Sequence, residues 1–139
     1  MITGLNTRSK LVSLVVTALA IAAEDVTTEK LDTVDTFPGA SVYLRPMVSA
    51  PAAMGGVRQR LAVLAVAVFR ETAEPDIAPQ LAADQLAFEA AVEESRKGRE
   101  FEGLEGIWMV GAEIDLVPDS NQKKGVLVMT FEAQYTEKI

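Results

Sequence analysis

The last third of the chain alternates between apolar and polar positions with the period of two that is typical of β-strands. From Glu105 onward it reads EGIWMVGAEIDLVPDSNQKKGVLVMTFEAQYTEKI, two alternating runs around a polar turn. The pattern predicts a long hairpin with one packed face and one face that is wet or meets a partner. The packed face is predicted to carry Trp108, Val110, Ala112, Ile114 and Leu116, followed on the return strand by Leu127, Met129, Phe131, Ala133 and Tyr135.

Residues 58–71 (RQRLAVLAVAVFRE) are the best single strand of the sequence, and they are apolar on both faces. A strand of this kind must be covered twice, because neither face can be left in water. Helices can cover one face, and something else must cover the other. At about 3.3 Å per residue the strand would exceed 40 Å, so we expect part of it to protrude from the domain.

Two helices are predicted. In the second, Ile77, Leu81, Phe88 and Val92 fall in one stripe at 3.6 residues per turn, and Gly98 is placed to end the helix. Residues 11–23 (LVSLVVTALAIAA) are the most apolar run, too short to span a bilayer. They predict a helix buried on nearly every side, or alternatively a secretory signal, since Arg8 and Lys10 precede the run and Ala18-Leu19-Ala20 within it offers a small-x-small cleavage site.

The remaining segments complete the predicted fold. Residues 33–37 and 41–45 are candidate strands around a Pro-Gly turn, and the uncharged residues 46–56 predict a loop or a mobile hairpin tip. The resulting order is α-β-β-β-α-β-β. We expect one α+β domain over residues 1–139, with an antiparallel or mixed β-sheet packed against two helices.

The composition excludes more classes of function than any motif of the sequence indicates. The 139 residues include no Cys and no His, which removes disulfides, thiolate zinc sites, Cys nucleophiles and the commonest general base. The net charge of −7 argues against a stand-alone nucleic-acid binder, although it suits a channel through which DNA slides without sticking. With no catalytic constellation, metal site or cofactor motif in view, we expect an assembly part rather than an enzyme.

Three weak motifs fail on inspection. The turn that begins at Asp119 starts like a calcium loop, but Lys stands at its fifth and sixth positions and Thr130 at its twelfth. Acidic residues around Glu93 have no nucleophile or oxyanion donor beside them, so a solvated helix surface is the better interpretation. The Gly55-Gly56 pair precedes a strand rather than a helix, which argues against a phosphate-binding loop.

Residues for subunit or partner contacts are proposed from exposure patterns. The segment from Met47 to Arg60 is expected to reach a neighbour, because exposed Met among small residues makes an adaptable contact surface. The tip of the final hairpin offers charges of both signs. The candidate contacts are Met47, Met54, Arg58, Arg60, Glu113, Asp115, Lys123 and Lys124.

The order of these elements resembles the tail terminator (tail completion) proteins of long-tailed bacteriophages. The resembling parts are residues 57–71, 81–94 and 106–135, ending in the pattern G-x-L-x-M-x-F-x-A-x-Y from Gly125 to Tyr135. They cover about half of the chain and are patterns of hydrophobicity and turns. The uncharged loop around Pro51 and the very apolar first helix do not match that pattern.

The resemblance implies a homo-oligomeric ring, usually of six subunits, in the virion at the head-tail junction. Such a ring ends polymerisation of the tail tube protein and offers its upper face to the head connector, or neck, protein. It would be assembled in the host cytoplasm, without a membrane partner, and DNA would pass through its lumen unbound. Six copies carry six times −7, or −42, which suits a lumen that repels phosphates. The alternatives are another head-tail joining protein, or a secreted bacterial binding domain with a cleaved signal.

Overall fold

The structure is a computed structural model that describes residues 4–31, 34–45, 48–53, 57–72, 76–101, 103–117 and 123–138. Its helices are α1 (Gly4–Leu19) and α2 (Ala78–Lys97), with a 3-10 turn at Ala23–Asp25. The strands of the described residues are β1 (Val26–Thr27), β2 (Gly39–Leu44), β3 (Val48–Ala53), β4 (Val57–Thr72), β5 (Leu104–Val117) and β6 (Lys123–Lys138).

These strands form one mixed sheet in the order β1-β2-β4-β6-β5, and β3 pairs with β4 beyond the end of β2. The β1–β2 pair is parallel and the others are antiparallel. β4 and β6, of 16 residues each, pair over their whole length and are the two long inner strands of the sheet, about 50 Å long. The predicted α+β class and order of elements are confirmed.

Both helices pack on the same face of the sheet. This helix-covered face buries alternate residues of β4 and β6, and the ring of Phe88 in α2 meets that of Phe131 edge-on at 5.8 Å. The predicted α2 stripe is confirmed, since each of its four residues is buried. The sheet residues of this core are Ala40, Val42, Ala62, Leu64, Val66, Val68, Ile107, Leu127, Met129, Phe131, Ala133 and Tyr135.

The first helix is confirmed, but it begins and ends earlier than predicted and is not buried all round. Only one stripe of α1 is fully buried, at Thr7, Leu11, Val15 and Leu19. On the outer side, the hydroxyls of Ser13 and Thr17 donate to the carbonyls four residues back, at 3.3 and 3.0 Å. Hydroxyls that bond their own helix can face water in an otherwise apolar run. Among the described residues, neither helix combines the length and apolar character needed to cross a bilayer.

A mostly buried ion pair joins three elements on the helix-covered face. Arg70 of β4 donates from Nε and Nη2 to the carboxylate of Asp84 in α2, at 2.6 and 3.1 Å. The same Nη2 donates to the carbonyl of Leu19, at the end of α1, at 3.0 Å. One guanidinium therefore fixes both helices against the central strand.

The opposite face of β4 is also apolar, as predicted, and buries Ala65, Ala67 and Phe69. Part of its cover comes from the segment between β1 and β2. The carbonyl of Glu29 in this segment accepts a hydrogen bond from the hydroxyl of Ser41 in β2. The ring centroid of Phe37, also in this segment, lies 5.6 Å from the Nζ of Lys124 in β6. The strand predicted at residues 33–37 is not formed over its described residues, since residues 34–37 lie outside the sheet and bends run from 35 to 38. Residues 48–53, predicted as loop or hairpin tip, add β3 to the sheet.

Candidate assembly interface

The strand β5 lies at one end of the sheet order and carries the exposed apolar side chains of the sheet. It pairs with β6 along one side only, and no described strand pairs with its other side. Three of its side chains are largely in water: Trp108 is 42% exposed, Val110 51% and Leu116 55%. An unpaired strand edge with apolar side chains is a template for association with another chain.

The predicted placement of Trp108 on the packed face is wrong, and a β-bulge is the reason. The register of β5 against β6 shifts between Met109 and Gly111, which makes Val110 an extra residue. Before the bulge, the odd-numbered Ile107 and Met109 oppose the buried Ala133 and Phe131. After it, the even-numbered Ala112, Ile114 and Leu116 take the helix-covered side, opposite Met129, Leu127 and Gly125.

Trp108 consequently lies on the opposite face and is held there by two neighbours. Its indole Nε1 donates to Oε1 of Glu132 at 3.2 Å. The ring rests against Gly106, where a Cβ would come within 2.9 Å of Cζ3. A side chain at position 106 would collide with the indole, so the glycine leaves room for the ring.

Beside this edge, the face of the sheet away from the helices contains an open groove. Its volume is about 450 Å³, and it is lined by Arg45, Gly111, Ala112, Glu113, Val128 and Thr130. Across the sheet, Ala65 of β4 lies between Tyr43 of β2 and Thr130 of β6. Because the side chain of Ala65 is small, it leaves space for the groove at this position. The segment between β1 and β2, which lies over the other end of this face, does not line the groove.

The predicted contact residues fall into two separate groups. Glu113 and Asp115 are exposed on β5, on the same face as Lys124, whose β6 position opposes Val117. Arg60 is half-buried and opposes Tyr135, whereas Glu113 opposes Val128, so the groups are about 24 Å apart along β6. For Arg58 and Lys123 the structure gives the backbone positions, in β4 and β6 respectively. Met47 and Met54 lie outside the described residues.

Sequence reasoning missed Arg45 and misplaced Trp108. Arg45 follows β2, is exposed, and donates its backbone N–H to the carbonyl of Val63 at 2.7 Å. Nothing in the local pattern distinguishes it from any other surface arginine. The signal for the bulge was present, because Gly111 interrupts an alternating strand, and an isolated glycine there is typical of a bulge.

The described residues include no group of three or more acidic side chains that is arranged to hold a metal ion. The β5 edge, the exposed ring of Trp108, the shallow groove and the charges around them together form a surface that is suited to binding another surface.

Comparisons with known proteins give only a distant structural likeness. No family model matches the sequence, and no curated protein is similar to it. Among solved structures, the chain is similar to a chain from the virion of a native gene transfer agent particle. The two are 20% identical with a TM-score of 0.41, over 94% of this chain and 89% of the other. A likeness at this level does not extend to function.

Proposed function

We propose that this chain is a virion structural protein, a tail terminator that acts by assembly and not by catalysis. Copies form a ring, of six subunits in the family it resembles, at the head-proximal end of the tail tube. One face of the ring docks on the last tube ring, and the other meets the head connector. Polymerisation of the tube stops because the upper face lacks the surface on which another tube ring could be added.

The observation that carries the proposal is the apolar, unpaired edge of β5. A single copy leaves Trp108, Val110 and Leu116 exposed to water along a 14-residue strand, with no described strand paired beyond it. Side chains of this kind are costly to expose together and are typical of protein contacts. A subunit of a ring presents such a surface to each neighbour.

Two further observations agree with an assembly role. The α+β order on which the resemblance to tail terminators rests is the order of the folded chain. The net charge of −7 per copy also gives a ring a lumen that repels DNA phosphates, so that DNA passes without sticking.

The test is to locate the chain in particles purified from its own source and then to remove it. Gold-labelled antibody should mark the head-tail junction, at one position per particle. Particles made without the chain should carry tails longer than normal, since nothing then ends the tube. Label along the tube, or tails of unchanged length without the chain, would contradict the proposal. A label at the junction with normal tail length would instead indicate another joining protein.

A further inference from the structure

A pocket of about 340 Å³ lies where α2 ends and β5 begins. Its apolar lining consists of Phe101 and Ile107, each 5% exposed, and the half-buried Leu104. Two arginines, Arg96 and Arg99, also line the pocket, and both are exposed. A concave apolar surface with a few charged groups beside it is the usual form of a site for a small ligand.

Both guanidiniums have hydrogen-bond donors to offer. Arg96 Nη2 donates to Oε1 of Glu93 at 2.7 Å, which uses one of its N–H groups and leaves the others available. Within the described part of the chain, the guanidinium of Arg99 forms no hydrogen bond or ion pair. Guanidiniums bind carboxylates through charge-assisted hydrogen bonds, often in pairs. Two of them beside an apolar surface therefore suit a ligand that has both a carboxylate and an apolar part.

The backbone of Arg99 is in a conformation that favours glycine. Its φ is 63°, in the left-handed region, where the Cβ of any other residue crowds the backbone. The N–H of Arg99 donates to the carbonyl of Arg96 at 3.2 Å. That of Glu100 donates to the carbonyl of Ser95 at 2.9 Å, which completes a Schellman motif. The glycine of this turn, Gly98, is one position earlier, at φ of −78°, where none is needed.

The chain thus has an arginine at the position where the turn favours glycine. Strained backbone at a residue other than glycine occurs preferentially at ligand sites, where the side chain has a role besides folding. The strain and the exposed guanidinium belong to the same residue, and that residue lines the pocket. Both observations indicate that the side chain of Arg99 serves binding.

We infer that this pocket binds an apolar monocarboxylate, either the C-terminal residue of another protein chain or a free carboxylic acid. The two guanidiniums hold the carboxylate, and the apolar part of the ligand rests on the apolar lining. Glu105 also lines the pocket, and its Oε1 accepts a hydrogen bond from the hydroxyl of Thr136. This acid limits the ligand to one negative charge, because a second would meet a like charge. The site is separate from any contact between copies and so goes beyond the proposed function.

A ligand-detected NMR titration of the full chain measures binding whether the chain is single or assembled. The probes are N-acetyl-leucine, its amide and hexanoate. We expect the amide to bind at least tenfold more weakly than N-acetyl-leucine, since it carries no charge for the guanidiniums. Hexanoate that binds as tightly as N-acetyl-leucine, or more tightly, assigns the site to free carboxylic acids, and weaker binding assigns it to a chain end. An amide that binds as tightly as the acid overturns the inference, and so does a wild type that binds no probe.

Arg99→Gly is the decisive variant, because it removes the guanidinium and supplies the residue that the backbone favours. It should bind N-acetyl-leucine at least tenfold more weakly than the wild type does. It should also unfold at a higher urea concentration, because relief of the strain outweighs the greater freedom of glycine in the unfolded chain. Loss of binding together with a gain in stability cannot come from misfolding.

Lys97→Gln is the matched control. It removes a neighbouring exposed cation that does not line the pocket, so its binding should equal that of the wild type. If Arg99→Gly binds like the wild type, or if Lys97→Gln loses as much binding as Arg99→Gly, the pocket is not the site. The native mass of Arg99→Gly should match that of the wild type, so this site and the proposed ring can fail separately.

Discussion

At the scale of single residues, the ion pair between Arg70 and Asp84 is the interaction whose loss the fold should tolerate least. The two side chains are only 14% and 11% exposed. Asp84→Ala would leave a buried guanidinium with the Leu19 carbonyl as its remaining described acceptor. Breaking a buried pair in this way costs about 3–5 kcal/mol of unfolding free energy. Urea unfolding of Asp84→Ala beside the wild type, at equal chain concentration, measures this loss.

The matched control is the exposed pair of Glu93 and Arg96 on the outer face of α2. Arg96 Nη2 donates to Oε1 of Glu93 at 2.7 Å, and this hydrogen bond lowers the pKa of the Glu93 carboxyl. A lowered pKa contributes stability above the unfolded pKa and loses it as the pH falls, but an exposed pair contributes little. Glu93→Ala should therefore leave the unfolding free energy unchanged within error. A similar loss for Glu93→Ala and Asp84→Ala would mean that the Arg70 pair is not buried as described.

Single residues also mark the limit of sequence reasoning. The prediction that Trp108 lies on the packed face follows correctly from strict alternation, and one inserted residue defeats it. Alternation fixes the face of every residue only within an uninterrupted strand. Beyond a bulge the faces exchange, so Leu116 could be placed on the helix-covered side while Trp108 could not.

At the scale of elements, the close approach of α2 to β6 depends on a residue without a side chain. Gly125 lies beneath the first turn of α2, and a Cβ there would come within 2.8 Å of Leu81 Cδ1 and 3.1 Å of Ile77 Cγ2. Gly125→Ala should therefore push the helix from the sheet or force both side chains to move. Overpacking of this kind costs about 1–3 kcal/mol, measured as a lower urea midpoint.

Gly98→Ala is the control for that prediction. Gly98 ends α2 with φ of −78°, a conformation open to any residue, and an added Cβ would make only ordinary contacts at 3.4 Å and beyond. Its unfolding free energy should stay within about 0.5 kcal/mol of the wild type. Equal losses for the two glycine variants would show that Gly125 is not a packing constraint.

Periodic elements could be predicted from the sequence, and irregular ones could not. α2, β4 and the β5–β6 hairpin have strong periods, and each appears close to its predicted position. β3 could not be predicted because Pro51 and the small, uncharged residues around it are typical of a loop, although the strand pairs with the next strand, β4, as a local hairpin. Residues 34–37 have strand-like composition but lie outside the sheet, where Phe37 contacts Lys124. In that segment tertiary contact overrides local preference.

At the scale of the whole molecule, the asymmetry of the sheet is the property that matters. One face is covered by two helices, the other is partly open, and the β5 edge exposes apolar side chains. Sequence reasoning predicted that β4 needs cover on both faces, and it named charged contacts near the hairpin tip. It could not place the candidate contacts together, because the distance between Arg60 and Glu113 is set by the register of β6.

The central claim, that this chain builds a ring, is tested most directly by the native mass of the wild-type protein with electron micrographs of the same sample. The account predicts a single closed species of several full copies, about six by resemblance to tail terminators, seen as rings with a central opening. Its mass should not grow further with concentration, because a closed ring has no free edge left. A chain that remains single, or stops at two copies, at every concentration would contradict the account.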